Sequence, residues 1–162
     1  MTTYIGTKQV IGVSMTRGEY NAYRGWELPA NENGADEGYL VEYTDGGKPN
    51  DSRHAGYISW SPKEQFENAY RPTSGLTFGL AIELLKKGAK VARAGWNGKG
   101  MFLFLVPGST FTVNRAPLLG IYPEGTQINY CPHIDMKTAD DKVVPWLASQ
   151  TDVLAEDWVV VE

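Results

Sequence analysis

Three short stretches of the chain carry residue types able to do chemistry. In the first, Asn129-Tyr130-Cys131-Pro132-His133-Ile134-Asp135, an extended backbone would place Cys131, His133 and Asp135 on one face. A thiol, an imidazole and a carboxylate could form a thiol catalyst or part of a metal site. The spacing argues against both: a nucleophile and its base usually come from separate segments, and strand neighbours two apart point in parallel rather than at one another. Cys131 therefore reads as a small buried residue, and His133 or Asp135 as a polar pocket wall. In the second stretch, Gly95-Trp96-Asn97-Gly98-Lys99-Gly100, the glycines invite a phosphate-loop reading. The GxxxxGK[ST] spacing is missing and no helical pattern follows, so neither P-loop nor dinucleotide-fold mechanics apply. A hairpin remains, with Trp96 at its turn. A large aromatic there buries little unless a ligand or partner covers it.

The third stretch runs from Val144 to Asp152. Ser149 or Thr151, followed by Asp152, reads as the start of a short helix whose free N–H groups favour an anion. Trp146 beside it would suit a nucleobase, and Gln150 and Asp152 offer base-edge hydrogen bonds. A capped helix with a core tryptophan accounts for the same residues. Adjacent acids at Asp36-Glu37, Asp140-Asp141 and Glu156-Asp157 read as solvated surface, and no separated carboxylate pair suggests hydrolase chemistry.

The elements that must carry these stretches fall into two halves, divided at Arg71-Pro72-Thr73-Ser74-Gly75, giving residues 1–73 and 74–162. In the first half the pattern predicts strands at 9–13, 39–43 and 56–60. A helix capped by Thr16, with Glu19 at the capping-box position, runs through Tyr23. A second helix starts at Ser61-Pro62 with Ser61 as cap and ends at Tyr70. In the second half Thr77 caps the clearest helix, whose Phe78, Ala81, Ile82 and Leu85 form a core-facing stripe, with Gly88 as its left-handed stop. Paired strands are expected at 90–94 and 101–106, a further strand at 128–136 and a terminal one at 158–161. The fold class is α+β: two small units, the C-terminal one a mainly antiparallel sheet with one or two helices.

Composition bounds the function. The chain has 162 residues, of which 42% are apolar and 21% charged, so it is a globular sequence rather than a disordered one. Its longest apolar run, 101–107, is far short of the roughly 18 residues needed to span a bilayer, and the N-terminus has no apolar signal core. A single cysteine excludes an internal disulfide and any metal site built on two cysteines. Net charge is −4 with an isoelectric point near 5.2 and no basic run, which argues against nucleic acid and membrane surfaces as partners. The chain reads as a soluble cytosolic protein with no metal and no cofactor.

The order of motifs in the second half adds a resemblance. Leu76-Thr77-Phe78 leads into the helix ending at Gly88. Val91-Ala92-Arg93-Ala94-Gly95-Trp96-Asn97-Gly98-Lys99-Gly100 then runs into Met101–Ser109 of the next strand. Pro132-His133-Ile134-Asp135-Met136-Lys137 and Val144-Pro145-Trp146-Leu147-Ala148-Ser149-Gln150-Thr151-Asp152 follow, and Leu154-Ala155-Glu156-Asp157-Trp158 closes the series. This order, over about 85 residues, resembles the second anti-Thoeris family of phage proteins. The resemblance implies a non-catalytic sponge in the host cytoplasm. Such a protein binds glycocyclic ADP-ribose, the signal made by Thoeris TIR-domain enzymes, so that the effector stays off. It also implies a homo-oligomer, a tetramer, with pockets between subunits; some members hold cyclic oligonucleotides of the CBASS defence. By motif position, Trp96 and Trp146 would stack the base, Asn97, Asp135, Gln150 and Asp152 would read polar groups, and N–H groups near Ser149 would receive phosphate. Residues 1–73 resemble a phage segment of unknown role. Two other readings stand beside the sponge: a phage structural or protein-interaction module, and a nucleotide-degrading enzyme.

Overall fold

The computed structural model describes residues 1–96 and 100–162. Its chain divides into two compact units, Met1–Arg71 and Pro72–Glu162.

The first unit is a three-stranded antiparallel sheet in the order β1 (Val10–Ser14), β2 (Gly38–Tyr43), β3 (Tyr57–Pro62), with a helix against each face. Helix α1 (Arg17–Arg24) starts where local chemistry dictates. The Thr16 hydroxyl accepts from Glu19 N–H at 3.2 Å, the Glu19 carboxylate accepts from Thr16 N–H at 2.7 Å, and Gly25 stops the helix at φ 69°. It lays Tyr20 on Leu40 and Ile58, flanked by Met15, Tyr23 and Trp60. Helix α2 (Lys63–Ala69) covers the other face, where Phe66 stacks on Tyr39 at 4.2 Å. Phe66 also lies so close to Gly12 that a Cβ there would sit 2.6 Å from the ring.

The expectation that Ser61 caps α2 is overturned. Strand β3 continues through Pro62, which occupies the cap position with no side-chain cap bond, and Ser61 stays in the ladder opposite Tyr39. The cause is backbone parity. Lys63 N–H donates to Glu37 O at 3.1 Å, so Pro62, one residue earlier, turns its missing N–H to the open edge, where a sheet tolerates proline.

The second unit is built on a five-stranded antiparallel sheet in the order β10-β4-β5-β8-β9, made of β4 (Lys90–Arg93), β5 (Phe102–Val106), β8 (His133–Lys137), β9 (Val143–Pro145) and β10 (Trp158–Val161). A separate hairpin pairs β6 (Ser109–Thr112) with β7 (Gln127–Tyr130). Helix α3 (Phe78–Lys86), capped by Thr77 and stopped by Gly88 at φ 88°, buries Ala81, Leu84 and Leu85 against Leu76, Val91, Leu103 and Trp158. A one-turn helix α4 (Gln150–Val153) precedes the last strand.

The single strand expected at 128–136 is two. The chain leaves the β6–β7 hairpin at Tyr130, passes Cys131 and Pro132, and joins the main sheet at His133. Proline cannot donate to a ladder, so it marks the change of sheet. The same break overturns the expectation of a buried thiol: Cys131 lies in the link and is exposed. Among the described residues no helix is long and apolar enough to cross a membrane.

Candidate functional site

The second unit centres on Trp158, whose side chain is fully buried and whose indole N–H donates to Asp152 O at 2.9 Å. Three aromatics surround it. Phe78 from α3 lies at 5.4 Å, Trp96 from the turn after β4 meets it edge-on at 5.7 Å and 76°, and Trp146 from the end of β9 meets it edge-on at 6.0 Å and 85°. Trp146 also touches Phe78 at 6.1 Å. Edge-to-face packing lets each outer ring keep one flank on the core and another free for a second contact. Trp96 and Trp146 are both half-buried, as that geometry requires. Trp146 is held from below as well, since its backbone N–H extends the β8–β9 ladder to Ile134 O at 3.0 Å.

A charged clamp fixes this frame. Arg93, the last residue of β4, donates through Nε to Asp157 Oδ1 at 2.5 Å and through Nη1 to Asp152 Oδ1 at 3.0 Å. Asp157 Oδ2 also accepts from Gly95 N–H at 3.2 Å, tying the Trp96 turn to the approach of β10. The hydrogen bond to Asp157, joined by that to Asp152, holds the guanidinium pKa above its ordinary value. The Asp157 carboxyl sits below its ordinary value, first because of Arg93 and then because of the Gly95 N–H. Burial pushes the Asp152 carboxyl up, but the Ser149 hydroxyl and N–H together with Arg93 outweigh it, and the net direction is down.

Ser149 and Asp152 bind one another. Asp152 Oδ2 accepts from Ser149 N–H at 3.0 Å and from Ser149 Oγ at 2.6 Å, while Ser149 Oγ accepts from Asp152 N–H at 3.2 Å. This capping box occupies two of the N–H groups at the start of α4. Gln150, the first residue of the turn, is exposed. Asp135, opposite Phe104 and Pro145 in the sheet, has a buried Oδ1 with no hydrogen-bond partner among the described residues; His133 Nε2 lies 3.8 Å away. Asn97 lies outside the described residues. The structure thus gathers Trp96, Trp146, Ser149 and Asp152 around one buried indole.

Sequence reasoning passed over Arg93, whose acidic partners lie far along the chain and give no local signal. It also passed over a network in the first unit. There Tyr23 Oη meets His54 Nε2 at 2.8 Å, His54 Nδ1 meets Glu42 Oε2 at 2.8 Å, and Glu42 Oε1 accepts from Ala55 and Gly56 N–H at 3.0 Å each. These bonds join α1, β2 and the loop before β3. An open cleft of about 710 Å³ in the same unit is lined by Lys8, Tyr43, Asp45, Tyr57 and Ser59 with two glycines.

Residues 76–161 match the Thoeris anti-defense 2-like domain. Over 86 residues, 53% of this chain and 94% of the relative, the sequence is 45% identical to Thoeris anti-defense 2 of Bacillus phage SP01. The family match falls inside the second unit and takes in every residue of the Trp158 frame.

Proposed function

The chain belongs to the Thoeris anti-defense 2-like family, and from that premise we propose that its second unit binds a cyclic nucleotide immune signal and holds it without cleaving it. The ligand of first choice is glycocyclic ADP-ribose, with cyclic oligonucleotides of the CBASS type as further ligands. Sequestration in the cytoplasm of the infected host keeps the effector off. This role needs affinity alone and no nucleophile. One observation carries the reading: two half-buried indoles, Trp96 and Trp146, braced edge-on against a buried third within the matched stretch. Such rings present a rigid apolar surface to a base, and stacking is worth roughly 1–3 kcal/mol per base at single-stranded nucleic-acid sites. Gln150, exposed at the start of α4, offers polar contacts to base edges or ribose hydroxyls, whereas Asp135 alternates with Ile134 and Met136 onto the other face of the sheet from the three indoles.

The pocket is completed by a second copy of the chain in a homo-oligomer, a tetramer by family. Support comes from apolar side chains flanking the site: Leu147 is 91% and Leu154 76% exposed, on either side of α4.

The test mixes the protein with glycocyclic ADP-ribose, removes free ligand, denatures the protein by heat and analyses the supernatant. Intact ligand supports the sponge. Products in the supernatant would identify a nucleotide-degrading enzyme, and a signal never depleted from solution would identify an interaction module.

A further inference from the structure

Strand β1 is the outer edge of the three-stranded sheet, and the direction of its backbone groups follows from two hydrogen bonds. Met15 N–H donates to Gly38 O at 2.9 Å and Gln9 O accepts from Thr44 Oγ1 at 3.0 Å. Residues 9, 11, 13 and 15 therefore turn their peptide groups toward β2, in register with Ile11 opposite Glu42 and Val13 opposite Leu40. The N–H and C=O groups of Val10, Gly12 and Ser14 consequently face outward in the plane of the sheet. Among the described residues no strand pairs with that edge. Proteins commonly blunt such an edge with lysine, proline, an inward charge or a bulge, and Val10-Ile11-Gly12-Val13-Ser14 has none of these. Helix α1 sets Tyr20 over Leu40 and Ile58, leaving Ile11 52% and Val13 49% exposed on that face, and on the other face α2 reaches β1 through Phe66 over Gly12, which stays exposed.

We propose that β1 pairs antiparallel with β1 of a second copy of this chain, across a two-fold axis perpendicular to the sheet and passing between the two Gly12 residues. The strand is self-complementary in that register. Gly12 meets Gly12 of the other copy, and Val10 meets Ser14 and Ser14 meets Val10, so all three outward residues of each strand find hydrogen-bonded partners. A two-fold axis of this orientation keeps the same face of both sheets together. Ile11 of each copy then stands opposite Val13 of the other in a non-hydrogen-bonded pair, where side chains lie closest, with Cα atoms about 4.5 Å apart. Each exposed apolar residue is covered by the other. A slip of two residues in either direction would leave Val10 or Ser14 beyond the partner strand and set Ile11 on Ile11 or Val13 on Val13. The strand carries no formal charge, so two copies meet without repulsion. The contact is one five-residue strand per copy, small against the roughly 800 Å² per partner of a stable interface, and its detection calls for a covalent trap.

The trap is a pair of full-length variants, both carrying Cys131→Ser to remove the exposed native thiol. One adds Ile11→Cys and the other Val13→Cys, with tags of different mass. A Cα separation of about 4.5 Å lies within disulfide range, whereas Ile11 to Ile11 is a diagonal of roughly 7–8 Å and lies outside it. Under mild oxidation the mixture should give the mixed disulfide at a yield at least several-fold above that of either variant alone. A second measurement uses Ser14→Pro, which removes one outward N–H and leaves the β2 ladder untouched. It should cut the mixed disulfide several-fold with little change in the thermal melt. No mixed disulfide from folded chains, equal bridging by either variant alone, or a yield unaffected by Ser14→Pro in a folded chain would each overturn the proposal. Ligand depletion reads the second unit and is scored separately from this disulfide.

Discussion

Trp146→Ala separates a binding indole from a packing one. Complete removal of a buried tryptophan typically costs about 3–5 kcal/mol. Trp146 is half-buried, with one flank on Phe78 and Trp158, so roughly half of that, about 2 kcal/mol, is expected here. In a unit of about 90 residues 1 kcal/mol moves the melting temperature by about 4–8 °C, so the variant should melt about 8–16 °C lower. If the free flank stacks a base, loss of about 1–3 kcal/mol weakens binding about 5- to 150-fold. The assay is calorimetric titration with glycocyclic ADP-ribose at a temperature where both proteins are folded, paired with a circular-dichroism melt of each. Trp146→Phe serves as the control, since it keeps a ring against Trp158 and should recover most of the stability while recovering only part of the affinity. A Trp146→Ala protein that is folded and binds as tightly as the wild type would refute the argument, whatever its melting temperature. In that event the indole would be a core residue and the base would lie elsewhere.

Acid should loosen the Arg93 clamp. The folded pKa values of Asp152 and Asp157 both lie below the ordinary value, so their contribution to stability is present above about pH 4 and is lost as pH falls through the folded values. Arg93→Met should melt lower than wild type at pH 7 and show a shallower decline below pH 4; parallel curves for the two proteins would count against the clamp. Asp135→Asn replaces a half-buried carboxylate whose buried Oδ1 has no hydrogen-bond partner among the described residues, so its melting temperature should hold or rise, and affinity for the signal should fall if Asp135 touches it. A lower melt with unchanged affinity would make Asp135 structural. Residues 72–162 alone should retain the wild-type dissociation constant by titration, and a folded fragment that fails to bind would move part of the site into residues 1–71.

Legibility in the sequence followed the range of the interactions. Thr16 with Glu19, Thr77 before Phe78, and Ser149 with Asp152 declare helix starts within four residues, and each is a helix start in the structure. The division of 128–136 was not visible, because alternation of apolar and polar residues continues across Pro132 while the pairing partners change from β6 to β5. Ser61 misled for the same reason: a hydroxyl before a proline is a good local cap, and the decision was made by β2 across the sheet. Trp96 read as a turn residue in need of cover, and part of that cover is Trp158, supplied by a strand at the other end of the unit. Side chains whose partners are distant in sequence, such as Arg93 with Asp152 and Asp157 or His54 with Tyr23, leave no periodic or spacing signal.

Satisfaction of polar groups narrows what a ligand can use. Ser149 and Asp152 looked from the sequence like donors and acceptors for a nucleotide, but each has its hydrogen bonds met by the other, and Asp152 by Arg93 as well. A ligand that took those groups would have to break the cap and the clamp, exchanging strong charge-assisted bonds for new ones with little net gain. Under the proposed function, recognition falls to groups that the fold leaves incomplete: the outer parts of the half-buried Trp96 and Trp146 and the exposed amide of Gln150. Such an inventory suits the proposed retention without reaction, because two braced rings and an exposed amide would supply affinity while Arg93, Asp152 and Asp157 remain engaged in holding the rings still. The clamp is then a positioning device. Its removal should reach the ligand through the tilt of Trp96, which shares the Gly95 turn with Asp157, before it reaches the ligand through any contact of its own.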